Sequence, residues 1–211
     1  MKSIESLVAE KLMAIKAVKL QPSNPFTWAS GWHSPIYCDN RKTLAYPEVR
    51  TIIKTGLVST IQRMYGGKID AIAGVATGAI AQGALVADAL GVPFLYVRSA
   101  PKDHGMGNLI EGEVHEGWNV VVVEDLISTG MSSLKAVAAL RDAKVNVLGM
   151  VAIFTYQFPQ AQQAFAEAGV ELTTLSNYSA LISEAAELNY IKPDEIEVLQ
   201  QWRANPSEWK K

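Results

Sequence analysis

Two adjacent carboxylates, Glu124 and Asp125, follow four consecutive valines and precede a run of small residues: VVVVEDLISTGMSS over residues 120–133. Valines in such a row are too apolar to face water and predict a buried strand, ending at the acids. Ser128, Thr129, Gly130, Met131, Ser132 and Ser133 predict the turn into a helix. Backbone N–H groups in such a turn converge on an anion, and the helix N-terminus adds partial positive charge, so a phosphate monoester is the natural occupant. The carboxylates would repel a phosphate but suit sugar hydroxyls or a Mg2+-bound substrate. The segment also fits a plain strand, a turn with solvated acids and a serine-capped helix. Paired acids at the end of a buried strand are costly without a purpose, which weights the balance toward chemistry.

Three further segments carry groups of interest. Residues 98–113, RSAPKDHGMGNLIEGE, are polar, glycine-rich and aperiodic, and predict a long loop. Arg98, Lys102 and His104 can all carry positive charge there, near a polyanion. Residues 26–41, FTWASGWHSPIYCDNR, read as a loop with aromatic anchors, equally compatible with a packing segment. Residues 74–84, GVATGAIAQGA, place small residues after an apolar run, which allows close backbone approach to a phosphate but is also common at packed helix starts.

The elements that must position these groups follow from hydrophobic periodicity. Helices are predicted over residues 3–17, 47–65, 79–90, 131–143 and 160–168, and strands over residues 70–76, 93–98, 118–124, 145–154 and 170–175. Residues 21–44 read as loop, and the tail from Tyr178 as mainly helical. Short β-branched runs alternating with helices indicate an α/β fold with a mainly parallel sheet flanked by helices, whose ligands bind beyond the carboxyl ends of the strands. The 211 residues predict a single domain: residues 1–65 give a small N-terminal hood and helices, 66–177 the core sheet, and 178–211 C-terminal helices. With 19 basic and 21 acidic side chains, and no basic block, a nucleic-acid duplex is not the expected partner. The charged N-terminus matches neither a signal peptide nor a membrane span, and the lone Cys38 fits a reducing, cytoplasmic compartment.

The stretch VVVVEDLISTG closely resembles the fingerprint of the type I phosphoribosyltransferases. That resemblance implies that Glu124 and Asp125 hold the ribose hydroxyls of phosphoribosyl pyrophosphate while Ser128, Thr129, Gly130, Met131 and Ser132 hold its 5-phosphate, with Leu126 and Ile127 also in the donor's binding site. The K-D-H-G pattern at residues 102–105 is similar to the mobile loop of the orotate phosphoribosyltransferases, which implies that Arg98, Lys102 and His104 meet the diphosphate. It also implies a homodimer in which this loop closes over the neighbour's site. Lys102, His104 and Asp125 are then the expected catalytic residues, and Mg2+ the cofactor, held mainly through the substrate with no direct protein ligand. Residues 26–41 resemble that family's hood, which implies that Ile36, Tyr37 and Ser128 contact orotate, and the turn at residues 76–79 resembles its pyrophosphate loop. The chain departs from the family's pattern at Ala29 and Ser99, where many members carry lysine, and at Thr155–Tyr156, where members often carry Asp-Arg. That arginine pairs with the orotate carboxylate; Arg41 or the backbone N–H of Ser128 is the expected substitute. A purine-specific relative would share the phosphate turn but lack the K-D-H-G loop and the hood, and a regulatory, non-catalytic relative would add a basic module.

Overall fold

The computed structural model describes residues 2–28, 30–100 and 109–209. Helix α1 (Ile4–Ala14) starts at Ser3, whose hydroxyl accepts from the Ser6 N–H, and buries Val8, Ala9, Leu12 and Met13 on one face. Four short strands follow: β1 (Val18–Leu20), just before the segment read from sequence as loop, and β2 (Phe26–Thr27), β3 (His33–Ser34) and β4 (Ile36–Cys38) within it. β1 pairs antiparallel with β4, and β2 with β3. Strands of two or three residues are too short to show an alternation, which is why no periodicity announced them. A 3-10 helix (Asn40–Ala45) follows, then α2 (Pro47–Tyr65), opened by its proline and burying Val49, Ile53, Leu57 and Ile61 at four-residue spacing.

The core alternates as expected: β5 (Ala71–Val75), α3 (Ile80–Leu90), β6 (Phe94–Val97), β7 (Ile110–Glu111), β8 (Asn119–Ile127), α4 (Met131–Asp142), β9 (Asn146–Thr155), α5 (Pro159–Glu167) and β10 (Leu172–Asn177). Two helices, α6 (Tyr178–Glu187) and α7 (Pro193–Ala204), complete the described chain. One sheet runs β10-β9-β8-β5-β6-β7, parallel throughout except for the edge strand β7, which returns antiparallel on β6. That edge strand lies within the stretch predicted to be loop; Tyr96 pairs with Glu111 and Val97 with Ile110.

The valine run behaves as its composition demands. Val120, Val121, Val122 and Val123 are fully buried, each contributing roughly 1.5–3 kcal/mol of apolar burial. The strand does not stop at the acids, however. β9 extends to Thr155 and supplies ladder partners for Glu124 (Ala152), Leu126 (Phe154) and Ile127 (Thr155), so β8 continues through both carboxylates. Successive side chains on a strand point to opposite faces, and the two acids therefore diverge.

Candidate active site

Where β5 and β8 end side by side, two adjoining cavities open. One, about 290 Å³, has Thr27, Trp28 and Tyr156 on one side, Tyr37 and Cys38 on another, and Leu126 and Ser128 at the end of β8. The other, about 420 Å³, is walled by Asp39 and Arg41, by the turn Ala76–Gly78, and by Glu124, Asp125 and Ser132. Cys38 and Leu126 belong to both walls, so the cavities share a partition.

The acids are held unequally. Glu124 is buried, its Oε1 accepting from the Asp125 backbone N–H at 2.9 Å and its Oε2 from the Ser133 hydroxyl at 2.7 Å. Burial, reinforced by the Asp125 charge, pushes its carboxyl up to about 8. Asp125 also titrates above the usual carboxylate range because of burial, with the Glu124 hydrogen bond and the Arg41 charge acting against the rise. Its backbone carbonyl accepts from Asn40 Nδ2 at 2.6 Å, which ties the start of the 3-10 helix to β8. The Asp125 carboxylate lies directly over the Gly78 backbone, where any Cβ would overlap it. Only glycine permits that approach, so the turn after β5 and the acid of β8 share one space.

The turn after β8 leads into α4 through Gly130. Gly130 takes a left-handed conformation, φ 80°, and precedes α4, and a Cβ there would come within 2.8 Å of Phe165. No side chain caps the helix, which leaves its first N–H groups available for a ligand.

Of the residues singled out from sequence, Tyr37, Glu124, Asp125, Leu126, Ser128 and Ser132 come together around the two cavities. Ile36 and Ile127 are fully buried and line neither. Met131 is 65% exposed at the start of α4, and Thr129 lies in the turn before it. Arg98 lies outside both cavities and faces Glu111, 3.5 Å from Nη1. Lys102 and His104 fall outside the described residues. Of the two expected substitutes for the missing arginine, Ser128 reaches the aromatic cavity and Arg41 does not. Thr155–Tyr156 proves to be part of that cavity's surroundings, with Tyr156 in its wall.

The roles of several site residues escaped the sequence reading. Trp28 and Tyr156 stand together in the wall of the aromatic cavity, their ring centroids 5.2 Å apart. Behind them the fully buried Trp202 of α7 packs 5.6 Å from Trp28 and 5.8 Å from Tyr156, and its Nε1 donates to the His33 carbonyl at 3.2 Å. Asn40 and Ser133 act through hydrogen bonds to partners remote in the chain. The D-N-R string was visible, but nothing in it names Asp125 as Asn40's partner.

A family model described as "Phosphoribosyl transferase domain" matches residues 44–169. A Bacteroides fragilis protein named orotate phosphoribosyltransferase is 60% identical over 209 residues, 99% of this chain and 98% of that one. One of the same name from Porphyromonas gingivalis is 58% identical, covering 99% of each chain. The crystal structure of orotate phosphoribosyltransferase from Aeropyrum pernix superposes with a TM-score of 0.74 at 27% identity, over 88% of this chain and 99% of that one. Identity of this extent, spanning the hood, both cavities and the C-terminal helices, shows that the chain belongs to the orotate phosphoribosyltransferase family.

Proposed function

We propose that the protein transfers ribose 5-phosphate from phosphoribosyl pyrophosphate to orotate, giving orotidine 5'-phosphate and diphosphate, a step of pyrimidine nucleotide synthesis. The observation that carries this reading is the shared partition: a flat aromatic cavity and an acid-walled polar cavity meet at Cys38 and Leu126. A base in the first and an activated sugar in the second would meet where a glycosidic bond must form.

The bond from the anomeric carbon to the diphosphate oxygen breaks, the diphosphate leaves with the electron pair, and a ring nitrogen of the base bonds to the carbon while its proton passes to the departing diphosphate or to water. The ribose passes through a cationic, oxocarbenium-like state. Asp125, aimed at the sugar, tolerates that charge, and Glu124 with it accepts from the ribose hydroxyls. The residues from Ser128 to Ser132 hold the 5-phosphate through the N–H groups at the start of α4. Trp28, Tyr37 and Tyr156 flank the pyrimidine, whose correct placement supplies a large share of the rate. Lys102 and His104 are assigned to the departing diphosphate, reaching it from a second copy of the chain in a homodimer.

The acids of the polar cavity would suit a Mg2+ ion that enters on the diphosphate. The Glu124–Asp125 pair, meanwhile, carries proton affinity raised by burial, which a nearby cation would offset, with Asp125 the side chain facing it. Bound there, such an ion would neutralise diphosphate charge and improve the leaving group. No helix among the described residues is long and apolar enough to cross a membrane. A cytoplasmic setting suits the single thiol.

The test is to mix the protein with orotate, phosphoribosyl pyrophosphate and Mg2+ and follow the loss of orotate absorbance with release of diphosphate. Consumption of adenine, hypoxanthine or guanine with orotate untouched would overturn the choice of base.

A further inference from the structure

The acid-walled cavity has a charge problem. Its described walls carry three carboxylates, Asp39, Glu124 and Asp125, and one cationic side chain, Arg41. The turn after β5 that borders it contributes Ala76, Thr77 and Gly78, and no Lys or Arg occurs in the sequence between Lys68 and Arg98. Arg98 lies outside the cavity, beside Glu111. Among the described residues, a polyanion entering this space therefore finds backbone N–H groups, small hydroxyls and Arg41 to offset the acids.

Arg41 is built into its position. Asp39, at the start of the 3-10 helix, accepts from the Arg41 backbone N–H at 3.2 Å and from its Nε at 2.7 Å, both through Oδ1. That clamp fixes the guanidinium by one edge and leaves its terminal amino groups for a ligand. The neighbouring Asn40 is buried and anchored to the Asp125 carbonyl, so the segment bearing Arg41 is tied to the strand bearing the acids. With 59% of its side chain exposed, Arg41 is open to an incoming ligand. A planar fork of donors matches phosphate oxygens in a way a point charge does not.

We propose that Arg41, oriented by Asp39, binds the diphosphate of the sugar donor and the diphosphate product rather than the carboxylate of the base. This inference rests on the phosphoribosyl-transfer reading for the identity of the ligand, while the charge and geometry that select Arg41 are independent of which base is used.

The experiment is isothermal titration of the full-length protein with magnesium diphosphate, ribose 5-phosphate and orotate in turn. Wild type, Arg41→Ala, Arg41→Lys and Asp39→Asn are compared, and KM is measured for both substrates. Loss of a charge-assisted contact predicts diphosphate binding weakened about tenfold or more in Arg41→Ala. Ribose 5-phosphate and orotate should stay within about twofold, since neither needs that contact. Arg41→Lys should recover part of the loss, and Asp39→Asn should fall between because the fork is no longer held. Unchanged diphosphate affinity in Arg41→Ala, or a loss confined to orotate, would overturn the assignment. If the wild type binds diphosphate in an Arg41-dependent way yet converts no orotate, the base assignment fails and the inference stands.

Discussion

Glu124 reaches its working geometry before any substrate arrives, because the Asp125 backbone N–H and the Ser133 hydroxyl each take one of its oxygens. Holding a carboxylate in a buried position beside a second one raises its proton affinity, from the ordinary 4.5 to about 8. The folded chain therefore binds more protons than the unfolded chain between those values, and this contribution to stability is fully present below the lower one. It is lost as pH rises through the upper one. If the pair holds the ribose hydroxyls as proposed, donor binding should run the other way, tightening as pH rises, with the two acids titrating as one coupled unit. Melting curves of ligand-free protein between about pH 5 and 9 should show declining stability, and Glu124→Gln should flatten the decline. A melting temperature indifferent to pH in the wild type would remove the buried-acid account. At this scale the types of Glu124, Asp125 and the following serines were legible in the sequence because chemistry selects residue types. Their partners were not: Asn40 lies 85 positions from Asp125, and no local pattern encodes that distance.

Among the elements, the long periodic ones were readable and the hood was not. α2 matched its predicted bounds because proline opens it and apolar residues recur on one face. β8 ran past its predicted end because a strand's length depends on its neighbour, here β9. The hood's paired strands, two or three residues each, depend on contacts from elsewhere, and at β3 helix α7 provides one. Trp202 supports Trp28 from behind and holds the His33 carbonyl, so the C-terminal helix fixes the wall of the aromatic cavity. Trp202→Phe keeps most of that packing and removes the hydrogen bond, which should lower stability by about 1 kcal/mol in chemical denaturation. The more telling readout is kinetic. KM for orotate should rise severalfold while KM for phosphoribosyl pyrophosphate holds; equal rises in both would mark Trp202 as a general stabiliser.

Taken whole, the molecule brings distant parts of one chain to a single edge of its sheet. The family model spans residues 44–169, yet the aromatic cavity takes Thr27, Trp28, Tyr37 and Cys38 from before that span and rests on Trp202 from after it. One hydrophobic cluster includes α1, the core strands and both C-terminal helices, from Val8 to Trp202. The parallel sheet was legible because its strands are nearly uniform apolar runs, whereas closure of the site by the two chain ends is a property of the assembled fold.

The partition between the cavities gives the molecule a built-in reporter. Cys38 is the single cysteine, so any thiol reagent can mark one place only. Burial, with Asp125 and Asp39 nearby, keeps that thiol from ionising, so labelling at neutral pH should be slow. Because its side stands in both walls, orotate alone and magnesium diphosphate alone should each retard the label. Protection by only one of them would mean that the two chambers are separately sealed.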